Sequence, residues 1–147
     1  MKIMGLLKAD ASSEAGELPP ADLFERMGTF MQEVAEAGVL LGTDGLHPTS
    51  KGKRVTLANG KFTVTDGPFT ESKELIASYA LFEVKTMDEA VYWTTRFLEV
   101  LGEGQCELRP IFEASDFPPE LFPAEDAANE QAWRDELAKK AANAQRS

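Results

Sequence analysis

The sequence predicts an α+β domain, a single antiparallel sheet with its helices on one face, followed by a helical tail. Three observations carry that expectation. Short β-rich runs alternate with two stretches whose apolar residues recur at helical spacing. Their order along the chain is β-α-β-(hairpin)-β-α-β. After Ser115-Asp116-Phe117-Pro118-Pro119 the pattern changes to an alanine-rich, nearly polar helix.

Residues 1–8, Met1-Lys2-Ile3-Met4-Gly5-Leu6-Leu7-Lys8, alternate loosely and predict the first strand. A loop of small and acidic residues runs from Asp10 to Glu17 and ends in Pro19-Pro20. Proline is tolerated in a helix's first turn, and Asp22 and Glu25 suit its positive end. Leu23, Met27, Phe30, Met31 and Val34 then form one apolar stripe on a helix over Asp22 to Ala37. Gly38 stands at its C-cap, and Val39-Leu40-Leu41 begins the second strand.

Arg54-Val55-Thr56-Leu57 and Lys61-Phe62-Thr63-Val64 flank Ala58-Asn59-Gly60. Asn-Gly between two β-rich runs predicts a hairpin, because both residues tolerate positive φ. The next strand covers roughly Ile76 to Val84. Thr86-Met87-Asp88-Glu89 reads as a capping box, Thr86 accepting from the open amides and Glu89 reaching back. The helix it starts buries Ala90, Thr94, Phe97 and Leu101, with Val91 and Leu98 widening the stripe. Gly102 and Gly104 end it, and Cys106 to Phe112 is the last strand.

This is the split βαβ order of a ferredoxin-like fold, with both helices on one sheet face. Tyr79, Leu81 and Glu83 point one way along their strand, and Ala80, Phe82 and Val84 the other. Both faces therefore carry bulky apolar groups, so the face without helices needs a cover. A second copy is the expected cover, giving a homodimer through the sheet.

The core is expected over residues 1–113 and the extension over 114–147. In the extension, Glu130/Arg134, Asp135/Lys139 and Glu136/Lys140 are spaced for ion pairs on a helix from Ala124 to Ala144. Phe117, Leu121, Phe122, Trp133 and Leu137 are its apolar anchors. Trp93 and Trp133 read as packing residues.

Composition excludes several classes. At 147 residues, 43% of them apolar, the chain holds enough material for one core. No apolar run approaches the ~20 residues of a membrane helix, and no export signal is visible. One cysteine, Cys106, suits a reducing cytoplasm and reads as a small hydrophobe on its strand. The net charge is −10, spread as −7 over residues 1–113 (18 acids, 11 bases) and −3 over the remainder (7 acids, 4 bases). No basic patch is hidden, so nucleic acid is not an expected partner. One histidine and one cysteine, far apart, provide no metal-ligand spacing, and no cofactor is expected.

The chemistry-bearing stretch is Asp66-Gly67-Pro68-Phe69-Thr70-Glu71-Ser72-Lys73-Glu74. Gly67 allows an unusual backbone angle and Pro68 fixes the next one, so Asp66 is held in a defined direction, and a carboxylate in a fixed loop near a lysine suits general acid/base work. The same residues also make an ordinary turn whose carboxylate caps its own amides. His47, the one histidine, sits in a Gly/Pro/Ser/Lys loop, and histidine is the side-chain type best suited to proton transfer near neutral pH.

Asp-Gly-Pro-Phe, followed by Glu71 and Lys73-Glu74, resembles the signature of the DGPF group of YCII-related proteins. Gly45-Leu46-His47-Pro48 is similar to that group's second motif, and Arg109-Pro110 to its close. The resemblance spans Met1 to about Phe112. It implies a ferredoxin-like subunit of a dimeric α/β barrel, a bacterial origin, and in some relatives an association with extracytoplasmic-function sigma factors. The His–Asp pair proposed for some relatives places its histidine on the first helix; this chain has none there.

Two readings follow. One is a cofactor-free small-molecule enzyme or ligand binder, its site in the cavity between helices and sheet. Asp66, His47 and Lys73 are then the candidate catalytic groups, and Gly67, Pro68, Phe69, Glu71 and Leu46 the ligand contacts. The other is a non-catalytic sensor or interaction module attached to a transcription regulator.

Overall fold

A computed structural model describes residues 1–70 and 74–146. They fall into two compact units, Met1–Ile111 and Phe112–Ser147. In the first, β1 (Lys2–Lys8), β2 (Leu40–Gly45), β5 (Ile76–Glu83) and β6 (Cys106–Pro110) form one sheet in the order β2-β5-β1-β6. Every pairing is antiparallel. Helices α2 (Ala21–Glu36) and α3 (Met87–Leu101) are the two crossovers. The fold is therefore the ferredoxin-like one that the element order predicts. A separate two-stranded ribbon, β3 (Lys53–Ala58) and β4 (Lys61–Asp66), is inserted between the second and third sheet strands.

The helix stripe is where spacing puts it. Phe30 and Val34 are buried, and Leu23, Met27 and Met31 are half-buried beside them. Register places Ile3, Gly5 and Leu7 of β1 on the same face as Phe82, Ala80 and Ser78 of β5 and Pro110, Leu108 and Cys106 of β6. This is the helix-covered face. Ile3, with no exposed surface, packs in one cluster with Phe30, Val34, Val39, Phe82, Val84 and Ala90. A Leu- or Ile-sized side chain gains about 1.5–3 kcal/mol from full burial, so this cluster is the main source of cohesion.

The two helices are also joined at their outer edge. Arg96 donates through both Nη atoms to the Glu33 carboxylate, and its guanidinium lies 5.5 Å from the centre of the Trp93 ring. The hydrogen bond from Arg96 holds the Glu33 carboxyl below its ordinary pKa.

Local details depart from the sequence reading. Asp10 to Glu17 is not all loop: α1 (Ala11–Glu14) forms a single turn, because Asp10 and Ser13 cap each other reciprocally. Thr86 does accept from the Glu89 amide at 3.2 Å, but the Glu89 carboxylate accepts from Lys85 N–H. Val91 is exposed, and Trp93 takes the flank of the α3 stripe instead, 6.3 Å from Phe30 between ring centres. The last strand ends at Pro110 rather than Phe112. The hairpin turn is as expected, with Asn59 and Gly60 at φ 52° and 76°.

The second unit holds stacked Phe112 and Phe117, with centres 5.2 Å apart, and Phe122 edge-on to Phe117. Its helix α4 (Ala124–Arg146) carries the Glu130–Arg134 and Glu136–Lys140 pairs, whereas Asp135 accepts from Gln131. Trp133, expected to pack, is exposed. Among the described residues no helix is long and apolar enough to cross a membrane.

The core and helix geometry set two opposite expectations. Val34→Ala removes buried methyls at a site 1% exposed and should cost about 2 kcal/mol or more. Gly28→Ala, where a Cβ meets nothing within 4 Å inside α2, should add about 0.5–1 kcal/mol. Urea denaturation of both variants checks the pair.

Candidate functional site

Two places in the first unit bring together residues that the sequence marked out. The first is a cavity between the sheet and the two helices. Gly5 makes room for it on β1, since a Cβ there would already press on the Phe82 ring at 3.2 Å. Its walls are apolar, from Leu7, Phe30, Val34, Leu40, Trp93 and Phe97 among others. Thr94, Ser78, Thr43 and Cys106 add a few polar groups. The space, partly open to solvent, is about 60 Å³ as seen by the centre of a water-sized sphere. One water needs roughly 10–15 Å³ on that measure, so the space suits a small molecule. A few polar groups converging in an apolar pocket are what ligand sites commonly have.

Two of these polar groups are set by the fold itself. Thr94 faces the core from α3 and is the buried polar side chain among the described residues. Cys106 is half-buried on β6, and burial pushes its thiol pKa up. It is therefore held as a neutral thiol around pH 7, as expected of a small hydrophobe. None of the lining residues is a carboxylate or a histidine. Among the described residues no group of His, Cys, Asp and Glu is arranged to hold a metal ion.

The second place is where the two signature segments meet. A 3₁₀ turn, Thr49–Lys51, follows Leu46-His47-Pro48 directly. Thr49 Oγ1 donates to Glu14 Oε2 at 2.6 Å and accepts from Phe69 N–H at 3.0 Å. Thr49 N–H also donates to Glu14 Oε1 at 3.2 Å. Gly67 N–H donates to the Gly52 carbonyl at 3.0 Å. A Cβ on Gly67 would lie 1.7 Å from the Thr49 carbonyl oxygen, so no other residue fits at this point. Phe69 is half-buried with the Arg54 guanidinium 4.0 Å from its ring centre. The Gly-Pro-Phe segment thus ties the base of the ribbon to the turn and to α1.

Each candidate residue can now be placed. Asp66 ends β4, is exposed, and pairs with Lys53 directly across the ribbon. It does not line the cavity, and among the described residues its carboxylate caps no loop amide. His47 is exposed, and among the described residues it forms no hydrogen bond or ion pair with Asp66. Leu46 is exposed, its amide bound to the Ala77 carbonyl at 2.8 Å. Pro68 is exposed beside Gly67. Glu71 and Lys73 lie outside the described residues. The sequence reading missed Thr49 and Glu14, 35 residues apart, because only the fold brings them together. It also missed the pair made by Tyr79 Oη donating to Asp44 at 2.6 Å on the open sheet face, where the carboxylate raises the phenol pKa.

These features define a ferredoxin-like fold with an apolar helix–sheet cavity and an inserted ribbon whose base is seated by Gly67 and Phe69. Over residues 1–115 the chain matches the YCII-related domain. It belongs to that family. A solved structure that aligns with it is 5-chloro-2-hydroxyhydroquinone dehydrochlorinase from Burkholderia phenoliruptrix AC1100, in complex with 2,5-dihydroxybenzoquinone. The alignment covers 80% of this chain and 100% of the other at 11% identity, with a TM-score of 0.43. Comparison with curated proteins finds no match.

The tight seat of Gly67 gives a direct expectation. Gly67→Ala must displace the Thr49 turn and should lower unfolding free energy by about 1–3 kcal/mol. Hydrogen exchange at the Phe69 amide should accelerate in the same variant. Unchanged urea midpoint and unchanged exchange would show that the segment is not seated as described.

Proposed function

We propose that this YCII-related protein binds a small, mainly apolar molecule, without a cofactor, in the cavity between its helices and its sheet. The observation that carries this reading is the cavity itself: a partly open apolar space with Thr94, Ser78 and Cys106 in its wall. Hydroxyls and a neutral thiol orient a ligand by hydrogen bonds but do not move protons readily near pH 7. Binding is accordingly the core of the proposal. An acid/base role for Asp66 is not supported within one chain, since its carboxylate pairs with Lys53 at the ribbon base. His47 is exposed and does not line the cavity.

We further propose that the working form is a homodimer in the bacterial cytoplasm, a second copy covering the sheet's open face. Met4, Leu6, Tyr79 and Leu81 share that face and are half-buried in a single chain. The alternative reading, a sensor or interaction module for a regulator such as an extracytoplasmic-function sigma factor, is favoured by one observation. The ribbon exposes apolar side chains on a protein that has somewhere else to bind a small ligand.

Cys106 reports on the cavity. Iodoacetamide should alkylate it more slowly in the native protein than in urea, with a rate that keeps rising above the ordinary thiol range near ~8.5. The sign for stability agrees: a raised folded pKa favours the neutral thiol, so its contribution is present below ~8.5 and is lost as pH climbs through the folded value. Phenol, a small ring used as the probe at ten times its Kd, should slow alkylation about tenfold. Native labelling as fast as in urea, and indifferent to phenol, would remove the cavity as a binding site.

A further inference from the structure

Thr94 is buried to 9% exposure on α3, at the wall of the helix–sheet cavity. A threonine inside a helix ordinarily turns its hydroxyl back onto the carbonyl four residues earlier. Thr29 on α2 does so, donating to the Glu25 carbonyl at 3.2 Å. Among the described residues the Thr94 hydroxyl makes no such bond and has no other partner. Every described side-chain nitrogen or oxygen that is sealed off inside the protein does have a partner. The Thr94 oxygen is therefore not sealed. It opens onto space, and the space that Thr94 lines is the cavity.

The other polar groups of the wall are differently placed. Thr43 Oγ1 already donates to the Tyr79 carbonyl at 2.8 Å. Tyr79 Oη donates to Asp44 on the opposite face of the sheet. Ser78 and Cys106 are only half-buried, and a thiol is a weak hydrogen-bonding group. Thr94 is thus the deep polar point of an otherwise apolar wall. A buried hydroxyl without a partner costs free energy, which a ligand oxygen bonded to it would recover. None of the lining residues is charged. A carboxylate or ammonium entering the cavity would lose its water and meet no opposite charge, so an ion is disfavoured.

We propose that Thr94 is the specificity-determining residue of the cavity, and that its ligand is an uncharged molecule with one hydroxyl or carbonyl oxygen on an apolar body. The ligand oxygen pairs with Thr94 Oγ1, and the apolar body lies against Phe30, Val34, Trp93 and Phe97. A hydroxyl both donates and accepts, so Thr94 serves an alcohol and a ketone alike. This inference rests on the cavity being a binding site. It adds the charge of the ligand, the number of its polar atoms and the residue that selects it.

The test pairs two matched exchanges of hydroxyl for methyl, Thr94→Val in the full chain and phenol against toluene as probes. Binding is read from the methyl NMR shifts of Leu7, Val34 and Leu40. Thr94→Val should weaken phenol about tenfold, the worth of one hydrogen bond, and leave toluene within about twofold. Thr94→Ser, which keeps the hydroxyl, should hold phenol within about threefold of wild type. Benzoate, of similar shape but charged, should not saturate wild type at millimolar concentration. The urea midpoint of Thr94→Val should equal or exceed that of wild type, since no bond within the protein is lost. A lowered midpoint with both probes weakened alike would make the hydroxyl structural and overturn the proposal. Saturation by benzoate would overturn it too, as would a loss of phenol binding in Ser78→Ala but not in Thr94→Val. Binding of both probes with no difference between wild type and Thr94→Val would leave the cavity a binding site and remove the role of Thr94. Failure of both probes to bind wild type would instead overturn the cavity reading, and this inference with it.

Discussion

Ile3 has no exposed surface, and the rest of the first unit is arranged around that fact. Strand β1 is central, paired to β5 on one side and β6 on the other, so its backbone polar groups are satisfied within the sheet. Its side chains therefore decide everything else. The Ile3, Gly5 and Leu7 side must be roofed, and α2 and α3 converge on it through Phe30, Val34 and Ala90. The roof is complete at the Ile3 end. It is incomplete near Gly5, Ser78 and Cys106, where small residues on three adjacent strands leave the cavity. The same strand pattern that builds the core thus opens the pocket.

The insertion between β2 and β5 obeys a different constraint. It has no place in the sheet, and its strands are exposed along their whole length. What positions it is a small polar node, Thr49 shared between Glu14 and Phe69, with Gly67 pressed against the Thr49 carbonyl. A half-buried carboxylate that accepts two hydrogen bonds from one residue resists displacement better than a solvated ion pair would. The signature motif is therefore a mechanical element in a single chain. Its most conspicuous charge, Asp66, faces Lys53 across the ribbon in an exposed pair that contributes little to stability.

Much of this was legible in advance. The helix stripe of Leu23, Met27, Phe30, Met31 and Val34 is readable because a 3.6-residue period leaves one solution. Asn59-Gly60 is readable because few turns demand two positive φ angles in succession. The cavity was not. Phe30, Thr94, Phe97 and Cys106 all read as ordinary core positions, and whether core side chains fill their space depends on volumes from distant strands. Val91, read as widening the stripe, is exposed while Trp93 packs beside Phe30, because contact with α2, not periodicity, decides which flank of a stripe is covered. Glu14 lay in a stretch with too few apolar residues to suggest a helix. Its partner, Thr49, is 35 residues away, beyond any local signal.

The account stands most directly on the cavity's ability to take up a ligand. Methyl NMR of the full protein titrated with indole, an uncharged ring distinct from any physiological candidate, addresses it. The prediction is saturable shifts concentrated on Leu7, Met31, Val34 and Leu40, whose methyls line the space, with the ribbon methyls Val55, Leu57 and Val64 unmoved. Shifts absent from the cavity methyls at millimolar indole, or spread over the ribbon instead, would contradict it.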